Sequence, residues 1–175
     1  MIDPPAPALV VMGAAGSGKS SFGTVLAAAL GARFLDADDL HPAANRQKMA
    51  AGTPLDDDDR WPWLDAVAAW VAARQAAGEP CVVACSALRR TYRDRLRAGA
   101  RQAGFVHLAV PRDELARRMR ARRHFMPPSL LQSQLATLEA PTADEDACTL
   151  DGTRPMDENL ARVEAWLATR ATRSG

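Results

Sequence analysis

At 175 residues the chain suits one domain, 1–175, able to bury roughly 70% of the surface its unfolded form exposes. With 22 Lys and Arg against 21 Asp and Glu, the net charge of +1 excludes a global field drawing it to nucleic acid or an anionic membrane. Cys81, Cys85 and Cys148 leave one cysteine unpaired in any disulfide scheme. With no basic n-region in MIDPPAPALVVMG and no apolar run near ~20 residues, the expectation is a cytoplasmic protein without a membrane span.

In chain order, the first predicted strand is Leu9–Met12. It runs directly into Gly13, Ala14, Ala15, Gly16, Ser17, Gly18, Lys19 and Ser20, a full match to GxxxxGK[ST]. Glycines let such a backbone curl so that successive N–H groups face phosphate oxygens, and the next helix adds its positive N-terminus. Lys19 then reaches the β- and γ-phosphates of a nucleotide, and the Ser20 hydroxyl suits Mg²⁺. The following helix carries the stripe Phe22, Val25, Leu26 and Leu30, with Gly31 as its C-terminal cap.

A second strand at Phe34–Leu35 ends in Asp36, Asp38 and Asp39. At the C-terminal edge of a parallel sheet, one carboxylate beside Mg²⁺ and another facing an acceptor hydroxyl form the second half of a phosphoryl-transfer site. Asp36 is the metal-side acid, Asp38 the base, and Asp39 the expected cap of the next helix. His41 and Pro42 open a helical stretch with Asn45, Arg46 and Lys48, of which His41 is a candidate substrate contact. The run Asp56–Asp59 reads as a solvated loop before a helix starting near Arg60. That helix has the stripe Trp63, Val67, Trp70 and Val71, with the tryptophans as core anchors and Gly78 as its cap.

Cys81–Cys85, Phe105–Val110 and a weaker run at Ala147–Leu150 are the remaining strands, with Gly104 expected to cap the helix before the fourth. Arg117, Arg118, Arg120, Arg122 and Arg123 fall within seven positions. Read alone they are a solvated helix face or an RNA contact, but beside a phosphate cradle and with balanced overall charge a lid arginine that stabilises the transferring charge is the preferred expectation. Asp151–Pro155 is either an adenine-contacting loop or a plain turn. A last stripe is Leu160, Val163, Trp166 and Leu167. Short strands alternating with helices predict an α/β protein, a five-stranded parallel sheet flanked by helices in three layers.

Four blocks carry a family resemblance: MGAAGSGKS, FLDADDLHPAANRQKMAAGTPLDDDDRWPWL, ACSALRRTYRDRLR and HFMPPSLLQSQLATLEAP. In them the chain resembles the gluconokinases, thermoresistant gluconate kinases among the P-loop small-molecule kinases. The resemblance implies an adenylate-kinase-like fold with a mobile lid at about 118–130, and ATP-dependent phosphorylation of D-gluconate at its 6-hydroxyl by a homodimer. It implies Asp38 as base, Asp36 with Ser20 on the metal side, and His41, Arg46 and Arg60 along the sugar-acid pocket. Ser86, Arg89 and Gln134 fall in its other acceptor-side motifs. The family pattern R-x-x-x-R-x-G-H-F suggests Arg118 and Arg122 as catalytic lid arginines beside Lys19, although Arg122-Arg123-His124-Phe125 lacks the glycine and is one residue shorter. Gluconate is an anion, so its carboxylate calls for a guanidinium; Arg46, Arg60 and Arg89 are all candidates. The rivals are shikimate kinase or another small-metabolite kinase, and a nucleotide-binding module without turnover. A GTPase lacks support because no NKxD motif occurs.

Overall fold

The computed structural model describes residues 6–122 and 127–173. Strands β1 Ala8–Met12, β2 Arg33–Asp36, β3 Cys81–Ala84, β4 Gly104–Ala109 and β5 Ala147–Asp151 form a sheet in the order β2-β3-β1-β4-β5, parallel at every pairing. Parallel neighbours require long crossovers. These contain α1 Lys19–Ala29, α2 Ala43–Ala50, α3 Asp57–Ala76, α4 Arg90–Gly99, α5 Arg112–Ala121 and α6 Pro128–Thr137, and α7 Met156–Arg173 closes the chain.

Alternation along each strand splits the interior into two cores. Ala8, Val10 and Met12 face Trp63, Val67 and Leu96 of α3 and α4, whereas Leu9 and Val11 face Phe22, Leu26 and Val163 of α1 and α7. Both faces are covered, which is why β1 reads as an unbroken apolar run. A smaller core joins Ala14 of the loop after β1 to Leu115 and Met119 of α5 and Leu131 of α6. No helix among the described residues is long and apolar enough to cross a membrane.

Several local expectations are corrected. Val25 is 37% exposed, and the buried face of α1 is Phe22, Gly23, Leu26 and Ala27. Small residues are needed there because a Cβ on Gly23 would come within 2.8 Å of the Phe34 ring. Gly31 and Gly78 do take the left-handed conformation beyond α1 and α3, but Gly104 opens β4 instead of capping a helix. Its bare Cα admits Trp166 and Arg170, which a Cβ would meet at 2.8 and 2.9 Å. Asp39 caps nothing: Asp36 caps the 3-10 turn Ala37–Leu40, and Pro42 precedes α2. The acids Asp56–Asp59 are not a loop before α3 but its start, where Asp56 and Asp59 form a reciprocal capping box.

The chain runs from β1 across β3 to β2 on one side, while β4 and β5 lie on the other. Such a reversal opens a crevice at the C-terminal edge of the sheet. The loops after β1 and β3 meet there, with Gly13 N donating to the Ser86 carbonyl at 3.3 Å.

Candidate active site

The loop Gly13–Gly18 closes into a cradle at the head of α1. Gly13 is required because a Cβ would sit 2.8 Å from Ser17 Oγ and 3.0 Å from the Leu108 carbonyl. Gly18, at φ 91°, turns the chain into α1 through the left-handed region. Lys19 donates to the Ala14 carbonyl at 3.1 Å, folding its side chain back over the loop. Burial lowers its ammonium below the usual lysine range; Asp38, Cys85 and Asp36 oppose that shift, and Arg122 adds to it.

Asp36 joins the two halves of the site. Its Oδ2 accepts from Ser20 Oγ at 2.5 Å and its Oδ1 from the Asp38 amide at 3.0 Å. A hydroxyl and a carboxylate already side by side are hard oxygen donors of the kind Mg²⁺ takes, with water and phosphate completing its shell. Among the described residues no cluster of His, Cys, Asp or Glu could hold a metal by protein ligands alone.

Asp38 faces Lys19, His41 and Ser86 across a cleft of about 80 Å³. Its carboxyl lies above the usual range, first because the walls withdraw solvation and then because Asp36 repels its charge, while Lys19 opposes both. Its side chain is 82% exposed, which limits that shift. His41 is 6% exposed and stacked on Trp63 with ring centroids 4.0 Å apart. Burial first, then Arg60 and Arg46, holds its pKa down to about 4, so the ring is neutral at pH 7.

Beyond Arg60 and Leu55 the cleft opens into an outer pocket of about 430 Å³. Here the guanidiniums of Arg60 and Arg89 lie 5.3 and 5.9 Å from the centroid of the Tyr92 ring. The Tyr92 hydroxyl donates to Asp57 at 2.5 Å, and Arg89 is 3.7 Å from the same carboxylate. The two guanidiniums share this corner with Asp56, Asp57 and Asp58, so their charge is offered to an anion against three neighbouring carboxylates. Arg60 Nε and Nη2 donate to the Leu55 carbonyl, which aims the guanidinium.

The sequence-predicted residues therefore separate. Lys19, Asp38, His41, Arg60, Ser86 and Gln134 line the inner cleft, and Arg89 the outer pocket. Arg46 lines neither: it is exposed and donates to the Asp39 carbonyl at 2.8 Å. Gln134 also reaches the cradle, where its Oε1 accepts from the Ala15 amide at 2.7 Å. Arg118 is braced by Glu114 and donates to the carbonyls of Gly16, Ser17 and Gly152. It thus clamps the cradle to the turn after β5, while Arg122 is the exposed cap of α5, and its charge reaches Lys19. The expected lid at about 118–130 includes Arg123, His124 and Phe125, which lie outside the described residues.

Asp151–Pro155 is a turn, with Asp151 Oδ1 accepting from the Thr153 amide and hydroxyl. The three cysteines are free, and burial pushes Cys81 and Cys85 up to about 11 and about 12, so those two thiols are inert near neutrality. Sequence reasoning missed Tyr92 and the second role of Trp63. Tyr92 lies three residues after Arg89, the N-cap of α4, and Trp63 three after Arg60 on α3, and that spacing was the available signal.

A nucleotide cradle at the switch point of a parallel sheet, facing a separate acceptor cleft with its own carboxylate, defines a P-loop phosphotransferase. A protein-family model described as an AAA domain matches residues 9–141. The chain is 47% identical to a gluconokinase of Gluconobacter oxydans, the alignment covering 89% of this chain and 88% of that one. The fold matches a gluconokinase structure from Sinorhizobium meliloti with TM-score 0.84 and 47% identity, over 97% and 95% of the two chains. It also matches a sugar kinase structure from Janibacter with TM-score 0.89 and 46% identity, over 94% and 95%. The chain belongs to the gluconokinase family.

Proposed function

We propose that the protein transfers the γ-phosphoryl group of ATP to the 6-hydroxyl of D-gluconate, giving 6-phospho-D-gluconate and ADP. The observation that carries this reading is the inner cleft itself, where the cradle's Lys19 and the free carboxylate of Asp38 face one another. The hydroxyl oxygen attacks the γ-phosphorus as the bond to the β-bridging oxygen breaks, and Asp38 takes the hydroxyl proton. The Lys19 ammonium balances charge on the transferring group, and Arg122 joins it from the lid. Ser20 and Asp36 would hold Mg²⁺, whose charge neutralises that of the phosphates when bound. The Arg60 and Arg89 corner takes the gluconate carboxylate, one end of the sugar acid thus lying in the outer pocket and the other at Asp38.

Cytoplasmic residence and a homodimer belong to the same proposal. Three free thiols, two of them buried, suit a reducing compartment, and the dimer, which rests on the family resemblance, is read directly by sedimentation.

The test is a purified-protein assay of ADP release across sugar acids and shikimate. Gluconate should be the preferred acceptor, and Asp38→Asn should lower turnover roughly 10²-fold with ATP affinity nearly intact. Preference for another acceptor would overturn the substrate, and unchanged turnover would remove Asp38 as base.

A further inference from the structure

Asn45, on α2, is 3% exposed and touches none of the reacting groups assigned above. Its amide nitrogen donates to the Asp59 carbonyl at 2.9 Å. A backbone carbonyl can only accept, so the orientation of the amide is settled: Nδ2, with its two hydrogens, faces Asp59. The same Nδ2 lies 3.3 Å from His41 Nδ1. Its second hydrogen is within reach of that ring nitrogen, and because an amide N–H₂ can only donate, the contact is a hydrogen bond when Nδ1 carries the lone pair. The single proton of the neutral imidazole is left on Nε2.

Nε2 lies 4.0 Å from Asp38 Oδ1, too far for a direct hydrogen bond. One oxygen can, however, sit about 2.8 Å from both atoms at once. An acceptor hydroxyl there would accept from His41 Nε2–H and donate its own proton to Asp38. The opposite tautomer would offer that hydroxyl two acceptors, and its proton could turn toward His41 instead of the base. Trp63, stacked on the ring and anchored by Nε1 to the Ala37 carbonyl at 2.7 Å, prevents the imidazole from rotating away.

We propose that Asn45 is a positioning residue that fixes His41 as the Nε2–H tautomer, so that His41 and Asp38 together orient the acceptor hydroxyl for in-line attack. The proposal rests on the phosphotransfer reading of the inner cleft. The sequence marks Asn45 only as one of several polar residues after His41, because the carbonyl that orients its amide lies on α3.

The first experiment is ¹⁵N NMR of the wild-type protein at pH 7, with the His41 ring assigned by comparison with His41→Gln. Nδ1 should resonate as an unprotonated nitrogen and Nε2 as a protonated one; the reverse pattern overturns the proposal. It needs no substrate, so it stands even if gluconate proves to be the wrong acceptor. The second is Asn45→Asp, whose carboxylate accepts from Nδ1–H and reverses the tautomer. Turnover should fall about tenfold or more with the KM for ATP within about twofold, as for loss of an orienting partner. Asn45→Asp with wild-type turnover overturns the role. Asn45→Leu, which removes the donor without adding charge, covers the case in which Asn45→Asp does not fold. Its His41 resonances should show mixed tautomers, and an undisturbed Nε2–H pattern would refute Asn45 as the cause.

Discussion

Glu145→Gln is predicted to destabilise the protein far more than its distance from the reacting groups suggests. Glu145 and Arg93 both have 0% side-chain exposure. They form a forked pair, with Arg93 Nε donating to Oε2 at 2.7 Å and Nη2 to Oε1 at 2.8 Å. Arg97 and the Thr142 amide add bonds of 2.8 and 3.2 Å to the same carboxylate. The Arg93 hydrogen bond, the largest influence, holds the Glu145 carboxyl down to about 2 against the opposing effect of burial. Gln keeps the shape but leaves the guanidinium buried without its counter-charge and turns an amide N–H₂ toward arginine donors. Removing one partner of a buried pair costs about 3–5 kcal/mol. For a domain of this size that is a fall of about 10 °C in Tm.

The assay is equilibrium urea unfolding of the wild type, Glu145→Gln, and the double variant Arg93→Met with Glu145→Leu. The double variant should recover most of the loss, because an apolar pair removes both charges together. A Glu145→Gln protein within about 0.5 kcal/mol of wild type, the level of an ordinary surface change, would refute the reasoning. So would a double variant less stable than the single. The pair also bears on the site: Arg93 Nη1 donates to the carbonyls of Ala87 and Leu88 at 3.0 and 3.3 Å. Ala87 is held at φ 43°, a costly conformation for alanine, between Ser86 and Arg89.

Arg89→Met should raise the KM for gluconate about tenfold and leave that for ATP unchanged, because a charge-assisted bond to the carboxylate is lost while the cradle is untouched; steady-state kinetics with each substrate varied checks this, and an unaltered gluconate KM removes Arg89 from the anion corner. His107 on β4 is 4% exposed, and neither ring nitrogen has a hydrogen-bond partner among the described residues. Burial, then the charge of Arg93, lowers its pKa, as burial lowers that of His41. The folded state thus binds fewer protons than the unfolded one, and stability falls as pH drops below about 6.5. His107→Leu should make the urea midpoint decline less between pH 7 and 5 than in the wild type, and parallel declines would refute the assignment.

Local patterns in the sequence carried much of this protein. Apolar runs located all five strands of the described sheet, most plainly β1 and β3, which are buried on both faces and hold no polar position, and most weakly the part-exposed edge strands β2 and β5. GxxxxGKS announced the cradle because curled backbone and a helix N-terminus leave few residue choices at those positions. The acids after β2 were legible as a site because the edge of a parallel sheet is where they fall.

Tertiary structure decided how these pieces meet. Arg46, Arg60 and Arg89 were equal as guanidiniums in the sequence, and only the packing of α3 on α4 brought two of them to Tyr92 and left Arg46 on a backbone carbonyl. Gln134 reaches the Ala15 amide across 119 residues, and Glu145 reaches Arg93 across 52. Arg118 proved to brace the cradle from behind, which no spacing within its own helix could reveal. Sequence periodicity reports which face of an element is buried; it carries no record of which distant side chain waits there. Composition and local geometry thus determined the sheet and the cradle, while long-range packing selected the residues of the acceptor site.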